Sequence, residues 1–140
     1  MPAAAPLRLL AEDPEDLAVI SAALQDAVAK VGDFKLAPKS RQFTLVFNRY
    51  VWEGRSRRRV RCGLQVGGVL TVKSRNIRRA PADAAVELLA IGFQAGDPPG
   101  GVLEFTFAGG GDLAVGVECI DLILADWSPT WPTPSKPSHG

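Results

Sequence analysis

Residues 103–117 read LEFTFAGGGDLAVGV, and this stretch decides the fold. On each side of the glycine run, apolar residues alternate with polar or small ones, which is typical of a strand with one buried face. Three consecutive glycines followed by Asp112 favour a tight turn. The stretch therefore predicts an antiparallel hairpin. The expected pairs are Leu103 with Val117, Phe105 with Val115, and Phe107 with Leu113.

Two more hairpins are predicted upstream of this one. Residues 34–51 alternate in the same way on both sides of a turn at Pro38. Residues 59–66 and 70–75 are separated by Gly67, Gly68 and Val69. A three-residue loop with a left-handed glycine gives this second pair of strands one clean apolar face. In that register Val66 pairs with Leu70 and Leu64 with Val72.

Alternating residues predict a further strand and, with the hairpins, a common core. Leu89, Ile91 and Phe93 are spaced as one face of a strand that ends near Gly96. We expect the inward residues of all these strands to share one core. These residues are Phe43, Leu45, Phe47, Val60, Leu64, Val72, Ile91, Leu103, Phe105, Phe107 and Val115.

The two ends of the domain carry helical signals. After a short first strand at residues 7–10, Asp13 followed by Pro14 predicts a helix start, because the carboxylate accepts free N–H groups and proline suits the first turn. We expect this helix to end near Gln25, although residues 27–31 fit either its continuation or the start of a strand. The residues Ile120, Ile123, Leu124 and Trp127 recur at helical spacing, which predicts a short C-terminal helix.

The resulting fold class is α+β. It is an antiparallel sheet or barrel of about seven strands with an N-terminal helix and a short C-terminal helix, the strand count of a pleckstrin-homology-like barrel. Residues 1–128 are expected to form a single globular domain. Residues 129–140 carry four prolines and are expected to form a flexible tail.

Composition indicates an ordinary globular protein. The chain has 140 residues, 46% of them hydrophobic and 22% charged, with a net charge of +1. No apolar run approaches the roughly 20 residues that cross a bilayer, and residues 1–6 lack the features of a secretory signal. We therefore expect a cytoplasmic protein without a membrane segment. Cys62 and Cys119 each lie in an apolar stretch and are expected to be buried free thiols.

Several stretches resemble one bacterial family. They are Asp16–Ser21, Leu24–Val28, Val31–Asp33, Phe47–Arg49 with Trp52–Glu53, Ser74–Ile77, Leu89–Ile91, Phe107–Gly111 and Val117–Ile120. The chain is similar over nearly its whole length, apart from the tails, to the domain-of-unknown-function family numbered twenty-nine forty-eight. The resemblance implies a small, intracellular, single-domain protein. It carries no catalytic or binding residues over to this chain.

The residues offer little for catalysis. His139 is the one histidine and stands next to last, so no nucleophile has a histidine partner within the domain. The glycines at 109–111 join two strands and lack P-loop spacing. Acids at positions 12–16 suit a helix start better than a metal. We expect no metal and no cofactor, and we favour a non-enzymatic role over an enzyme using carboxylate, lysine or arginine chemistry.

The functional signal is a basic segment. Between Gly54 and Ala82 the chain has nine basic residues and no acid, whereas the rest has seven basic against 15 acidic residues. The predicted second hairpin puts Arg59, Arg61, Lys73 and Arg75 on one outer face, with Arg61 opposite Arg75. Such opposed charges destabilise a strand pair. Either nearby Glu53, Glu87 or Glu104 and water neutralise them, or they form an anion site.

The anion-site interpretation predicts a partner of negative charge. Guanidinium groups bind carboxylates and phosphates, so we expect an acidic protein segment or a small anion. Asn48, Tyr50 and Trp52 on the adjoining strand could add stacking or could be packing residues. A nucleic-acid backbone is the alternative, but the chain is nearly neutral and residues 55–79 contain no aromatic side chain, which argues against nucleic acid.

Overall fold

The computed structural model of the protein describes residues 6–78, 81–134 and 136–137. Within them the chain forms one α-helix, one 3₁₀ helix and eleven strands. The helices are α1 (Pro14–Ala23) and the 3₁₀ helix Val31–Asp33. The strands are β1 (Arg8–Ala11), β2 (Val28–Lys30), β3 (Phe34–Ala37), β4 (Gln42–Tyr50), β5 (Arg58–Val66), β6 (Val69–Arg75), β7 (Ala85–Ala95), β8 (Gly101–Phe107), β9 (Asp112–Val117), β10 (Leu122–Asp126) and β11 (Trp131–Pro132).

All strand pairs are antiparallel, and they form two connected layers. The order is β1-β10-β5-β4-β2-β7-β8-β9-β6, with β11 added to β5 and β3 added to β4. We call β1, β10, β11, β5, β4, β3 and β2 the first sheet, and β7, β8, β9 and β6 the second sheet. The long strand β7 joins them, because its start pairs with β2 and the remainder with β8.

One apolar core lies between the sheets. All eleven predicted core residues are buried except Val72, which is partly buried and packs against the core. Phe34 adds a ring contact to three buried phenylalanines, with ring centroids 6.0 to 6.4 Å apart. Nine of the eleven therefore belong to the common core as predicted and Val72 packs against it, whereas Val60 is buried outside it.

The helix α1 begins where its residues predict. Asp13 accepts a hydrogen bond from the backbone N–H of Asp16 at 2.8 Å, and Pro14 opens the first turn. Leu17 and Ile20 are buried. The helix ends at Ala23, and the next residues enter β2, so the strand alternative for residues 27–31 is the correct one. No helix among the described residues is long and apolar enough to span a membrane.

The first and third hairpins are confirmed. β3 and β4 pair across the turn at Pro38. β8 and β9 pair across Gly109–Gly111, with Leu103 opposite Val115 and Phe105 opposite Leu113. This register differs by two residues from the expected one. A two-residue shift keeps every side chain on its predicted face, so the apolar face is unchanged.

The second predicted hairpin is wrong. β5 lies between β4 and β10, so both of its edges are occupied, and β6 pairs with β9 instead. The chain leaves the first sheet at Gly67, whose N–H donates to Asp121 at 2.9 Å, and Gly68 adopts a left-handed φ of 62°. A left-handed glycine was predicted here, but it lets the chain pass from the first sheet to the second and does not close a hairpin.

The predicted fold class is wrong at the C-terminus and in its strand count. Residues expected to form a helix form β10, which pairs with β1 and β5. Leu122 and Leu124 alternate as buried residues, while Trp127 is exposed. A five-residue segment is too short to distinguish the helical period of 3.6 residues from the strand period of two. It forms a strand here because it pairs with the edge of β5. With eleven strands and no C-terminal helix in the described part of the chain, a pleckstrin-homology-like barrel is excluded.

Two β-bulges displace leucines that alternation placed in the core. The register shifts between Val69 and Thr71 in β6, and Leu70 is 58% exposed. It shifts again between Leu88 and Ala90 in β7, where Leu88 is buried and Leu89 is exposed. An extra residue at a bulge reverses which neighbours face the core, so local alternation fails there.

The start of the proline-rich segment lies along β5. Trp131 and Pro132 pair with Arg59 and Arg58, and the N–H of Thr133 donates to the carbonyl of Arg57 at 3.0 Å. The side chain of Arg58 donates to the carbonyl of Thr130 at 2.9 Å. His139 lies outside the described residues. The division into a domain at 1–128 and a flexible tail at 129–140 stays a prediction.

Candidate functional site

The four basic residues predicted as a site lie on two different sheets. Arg59 and Arg61 are on the outer face of β5 in the first sheet, and Lys73 and Arg75 are on the outer face of β6 in the second. The structure therefore keeps each pair together but separates the two pairs. Arg61 lies opposite Asn48, and Arg75 lies opposite Asp112, so the expected opposition of Arg61 and Arg75 does not occur.

Ion pairs neutralise part of the basic segment, through other acids than those expected. Arg75 donates from Nε and Nη2 to Asp112 Oδ2 at 3.0 and 2.6 Å. Arg61 Nη2 lies 3.7 Å from Asp33 Oδ2. Lys73 is exposed and has neither a hydrogen bond nor an ion pair within the described ranges. Arg79, which belongs to the same basic segment, lies outside those ranges.

The strand β6 leaves one of its edges unpaired in the described part of the chain. It is the last strand of the second sheet and pairs only with β9 there. At its beginning, the N–H of Val69 donates to the carbonyl of Arg41 in the β3–β4 turn at 2.9 Å. No described strand is added to that side of β6 or of β3, and the edge of a sheet is a ready acceptor for another strand.

An apolar cleft of about 290 Å³ lies between these two edges. Val31 and Phe34 line one side, and Val72 and Ser74 line the other. Leu113 and Phe43 also contribute to its walls. Because neighbours in a strand alternate, Lys73 and Arg75 point away from the cleft on the outer face of β6. The β6 edge thus combines an apolar inner face with a basic outer face.

A second basic surface lies on the outer face of the first sheet and includes aromatic side chains. Arg59 lies between Tyr50 on β4 and Trp131 on β11, and its Nη1 donates to the carbonyl of Asn48 at 3.1 Å. Trp127 is 56% exposed and Trp131 37% exposed. Tyr50 itself is buried and packs edge-on against Trp52. We call Arg59, Arg61, Trp127 and Trp131 the arginine–tryptophan face.

Sequence reasoning missed a buried charge cluster formed by Arg49, Glu53 and Asp126. Arg49 is fully buried; its Nε and Nη2 donate to Asp126 at 2.9 and 2.8 Å, and its Nη1 and Nη2 donate to Glu53 at 3.0 and 2.8 Å. Asp126 Oδ2 also accepts the N–H of Leu7 at 2.8 Å. The sequence contains a signal for this cluster. Arg49 alternates in phase with Phe43, Leu45 and Phe47, so its charged side chain is expected to face the protein interior.

Arg49, Glu53 and the nearby thiol of Cys62 have shifted pKa values. Burial alone lowers the pKa of Arg49, but hydrogen bonds to Glu53 and Asp126 outweigh it and raise the pKa above its usual value. The hydrogen bond from Arg49 lowers the pKa of Glu53. Burial raises the pKa of the Cys62 thiol to about 12. Arg49 therefore stays charged near neutral pH, and its hydrogen bonds to Asp126 and Glu53 hold β4, β10 and the β4–β5 loop together.

Two further observations concern catalytic and metal chemistry. Among the described residues, no group of three or more histidine, cysteine, aspartate or glutamate side chains could hold a metal ion. A cleft of about 430 Å³ on the outer face of the second sheet is lined by Arg75, Glu104, Thr106 and Asp112. In this cleft Arg75 already forms an ion pair with Asp112. This cleft adjoins the outer face of β6.

The architecture defines an antiparallel two-layer β-protein with one helix in the described ranges and two basic surfaces on opposite sheets. The chain belongs to the family described as Protein of unknown function (DUF2948), whose model matches residues 7–139. No curated protein and no solved structure matches the chain. The expected family is therefore confirmed.

Proposed function

We propose that the protein is a non-enzymatic, cytoplasmic binding module that holds an extended acidic segment of another protein along β6. The observation that carries this proposal is the unpaired β6 edge beside the apolar cleft. An added strand would extend the second sheet along this edge, as in other cases of recognition by strand addition. The edge would then be covered in the complex.

The chemistry of the bound segment follows from the two faces of β6. Residues of an added strand that face inward would enter the cleft next to Val72 and Phe34, so they should be apolar. Residues that face outward would lie beside Lys73 and Arg75, so they should be acidic. The bound sequence would therefore alternate apolar and acidic residues. A small anion could contact the outer lysine and arginine but would leave the cleft empty.

Binding of a synthetic peptide that alternates valine and glutamate tests this proposal. Fluorescence anisotropy of the labelled peptide should show saturable binding that weakens with salt, because exposed charges are screened. Lys73→Glu replaces an attraction by a repulsion at one cross-strand position. It should weaken binding about threefold to tenfold, given cross-strand charge terms of roughly 0.2–1 kcal/mol.

Matched variants separate the edge from general electrostatics. Arg8→Glu makes the same change of charge on β1, at the far end of the first sheet, and should leave the affinity unchanged. Val72→Asp puts a charge into the cleft and should abolish binding while the fold, checked by circular dichroism, remains. Equal effects of Lys73→Glu and Arg8→Glu would contradict the proposal. Full competition by inorganic phosphate would favour a small-anion site instead.

A further inference from the structure

The arginine–tryptophan face carries a second binding property that is independent of the β6 edge. It lies on the outer face of the first sheet, whereas β6 belongs to the second. We propose that this face binds single-stranded nucleic acid, with the two tryptophans as stacking platforms for bases and the arginines as phosphate contacts. The argument rests on how Trp127 and Trp131 are held.

The ring of Trp127 packs over Gly63 of β5 and stays 56% exposed. A Cβ atom at Gly63 would lie 1.8 Å from Trp127 Cζ2, so the indole occupies the space that only a glycine leaves on β5. The N–H of Trp127 donates to the carbonyl of Arg61 at 2.7 Å, and the N–H of Arg61 donates to Ser128 Oγ at 3.0 Å. Trp127 is thus fixed beside Arg61 while more than half of it remains exposed.

Trp131 provides a second exposed ring on the same face. It lies directly opposite Arg59, and directly opposed residues of paired strands point to the same side. Trp127 covers Gly63 and Trp131 flanks Arg59, so the two rings are separated by four residues of β5, or about 13 Å at 3.3 Å per residue. Arg61 lies between them, and Arg59 is level with Trp131. Aromatic and cationic groups therefore alternate along β5.

This alternation favours single-stranded nucleic acid over an acidic protein segment. Proteins that bind single strands combine a basic track with aromatic rings on which bases stack. An acidic peptide would use the arginines but would leave the exposed indoles without a partner. The adjoining chain adds Arg55 and Arg57, both exposed, to the positive charge. Two acids lie near this row: Asp33, 3.7 Å from Arg61, and Asp83, which lines a small cleft with Arg61.

The fold removes one of the two sequence arguments against nucleic acid, the lack of aromatic residues between positions 55 and 79. Strand pairing brings the exposed Trp127 and Trp131, both from outside this segment, to the basic residues of β5. The other argument, the near-neutral net charge of the chain, stands. A duplex would not expose its bases to the tryptophans. The proposal therefore requires a preference for single strands.

The test uses the full chain with fluorescein-labelled oligouridine, oligothymidine and a duplex of the same length. We expect both single strands to bind more tightly than the duplex and to quench the tryptophan fluorescence. Binding should weaken steeply with salt as phosphate counterions are released. Comparison of oligouridine with oligothymidine distinguishes a ribose-specific site from a general single-strand site. Polyglutamate serves as an anion without bases.

Substitutions then separate stacking from charge. Trp127→Leu and Trp131→Leu should each weaken oligonucleotide binding at least fivefold, the lower range for loss of one stacked base. Arg61→Gln should reduce the salt dependence, whereas the charge-matched control Lys39→Gln, at an exposed position in the β3–β4 turn, should not. Trp131→Leu is the safer variant because Trp131 is at the margin of the sheet. Equal binding of polyglutamate, or tryptophan variants that bind as the native chain does, would overturn the proposal.

Discussion

Replacement of Arg49 by methionine should be among the most destabilising single changes in this protein. The substitution removes four hydrogen bonds to carboxylates and one to the carbonyl of Tyr50. It leaves Asp126, whose side chain is 5% exposed, with the N–H of Leu7 as its remaining donor among those described. Breaking a buried ion pair costs about 3–5 kcal/mol. Glu53 adds little to this cost, because its side chain is 37% exposed and can turn toward water.

The expected loss is large enough for a clear measurement. At roughly 3 °C per kcal/mol for a chain of this size, the melting temperature should fall by about 10–15 °C. Urea unfolding followed by tryptophan fluorescence should show a lower midpoint with an unchanged slope. Arg8→Met, an exposed control, should shift the free energy of unfolding by no more than about 0.5 kcal/mol.

A double variant tests the cause. If an uncompensated carboxylate is responsible, adding Asp126→Leu to Arg49→Met should restore part of the lost stability, since well-packed apolar groups can replace a buried ion pair. A loss below about 1 kcal/mol for Arg49→Met would refute the reasoning. So would a double variant that is as unstable as the sum of its parts.

Three other outcomes follow from the structure. Phe105→Ala should cost about 3–5 kcal/mol in urea unfolding because Phe105 is fully buried, and a cost below about 1 kcal/mol would contradict the core assignment. The folded pKa of Glu53 is lowered, so its stabilisation is present above the unfolded value of 4.5 and is lost as pH falls through the folded value. The difference in unfolding free energy between the native chain and Glu53→Gln should therefore shrink in acid. A difference that stays constant with pH would show that Glu53 is unpaired. Cys62 is buried with its pKa raised to about 12, so it should resist iodoacetamide until the protein unfolds. The less buried Cys119 should be modified first. Mass spectrometry of the native protein after labelling shows which thiol has reacted.

Local signals predicted the elements that short-range physics determines. Asp13 and Pro14 define a helix start by themselves, and the glycine turn at 109–111 brings its own flanking strands together. The strands β3 and β4 follow the same rule around Pro38. In each case the partner groups are close in sequence, so no distant residue is needed to choose between alternatives.

Choices between distant partners could not be predicted in this way. β5 has alternation that suits pairing with β6, but β10 arrives from sixty residues later and occupies that edge. Because β10 pairs with β5, Leu122 and Leu124 belong to a strand and not to the predicted helix. Arg49 was identifiable as an inward charge, yet nothing local indicates that Asp126 is its partner. The arginine–tryptophan face depends on these same long-range pairings, so its composition emerges only in the folded chain.

The order of the strands has a consequence for the growing chain during translation. Of the described strands β1 leaves the ribosome first, but its partner β10 is made much later, since Arg8 pairs with Ala125, 117 positions further along the chain. β6 likewise waits for β9, because Val72 pairs with Val115. Until those partners emerge, nascent strands such as β6 expose backbone edges and apolar side chains that other chains could join. Neither sheet can close before nearly the whole chain has been synthesised.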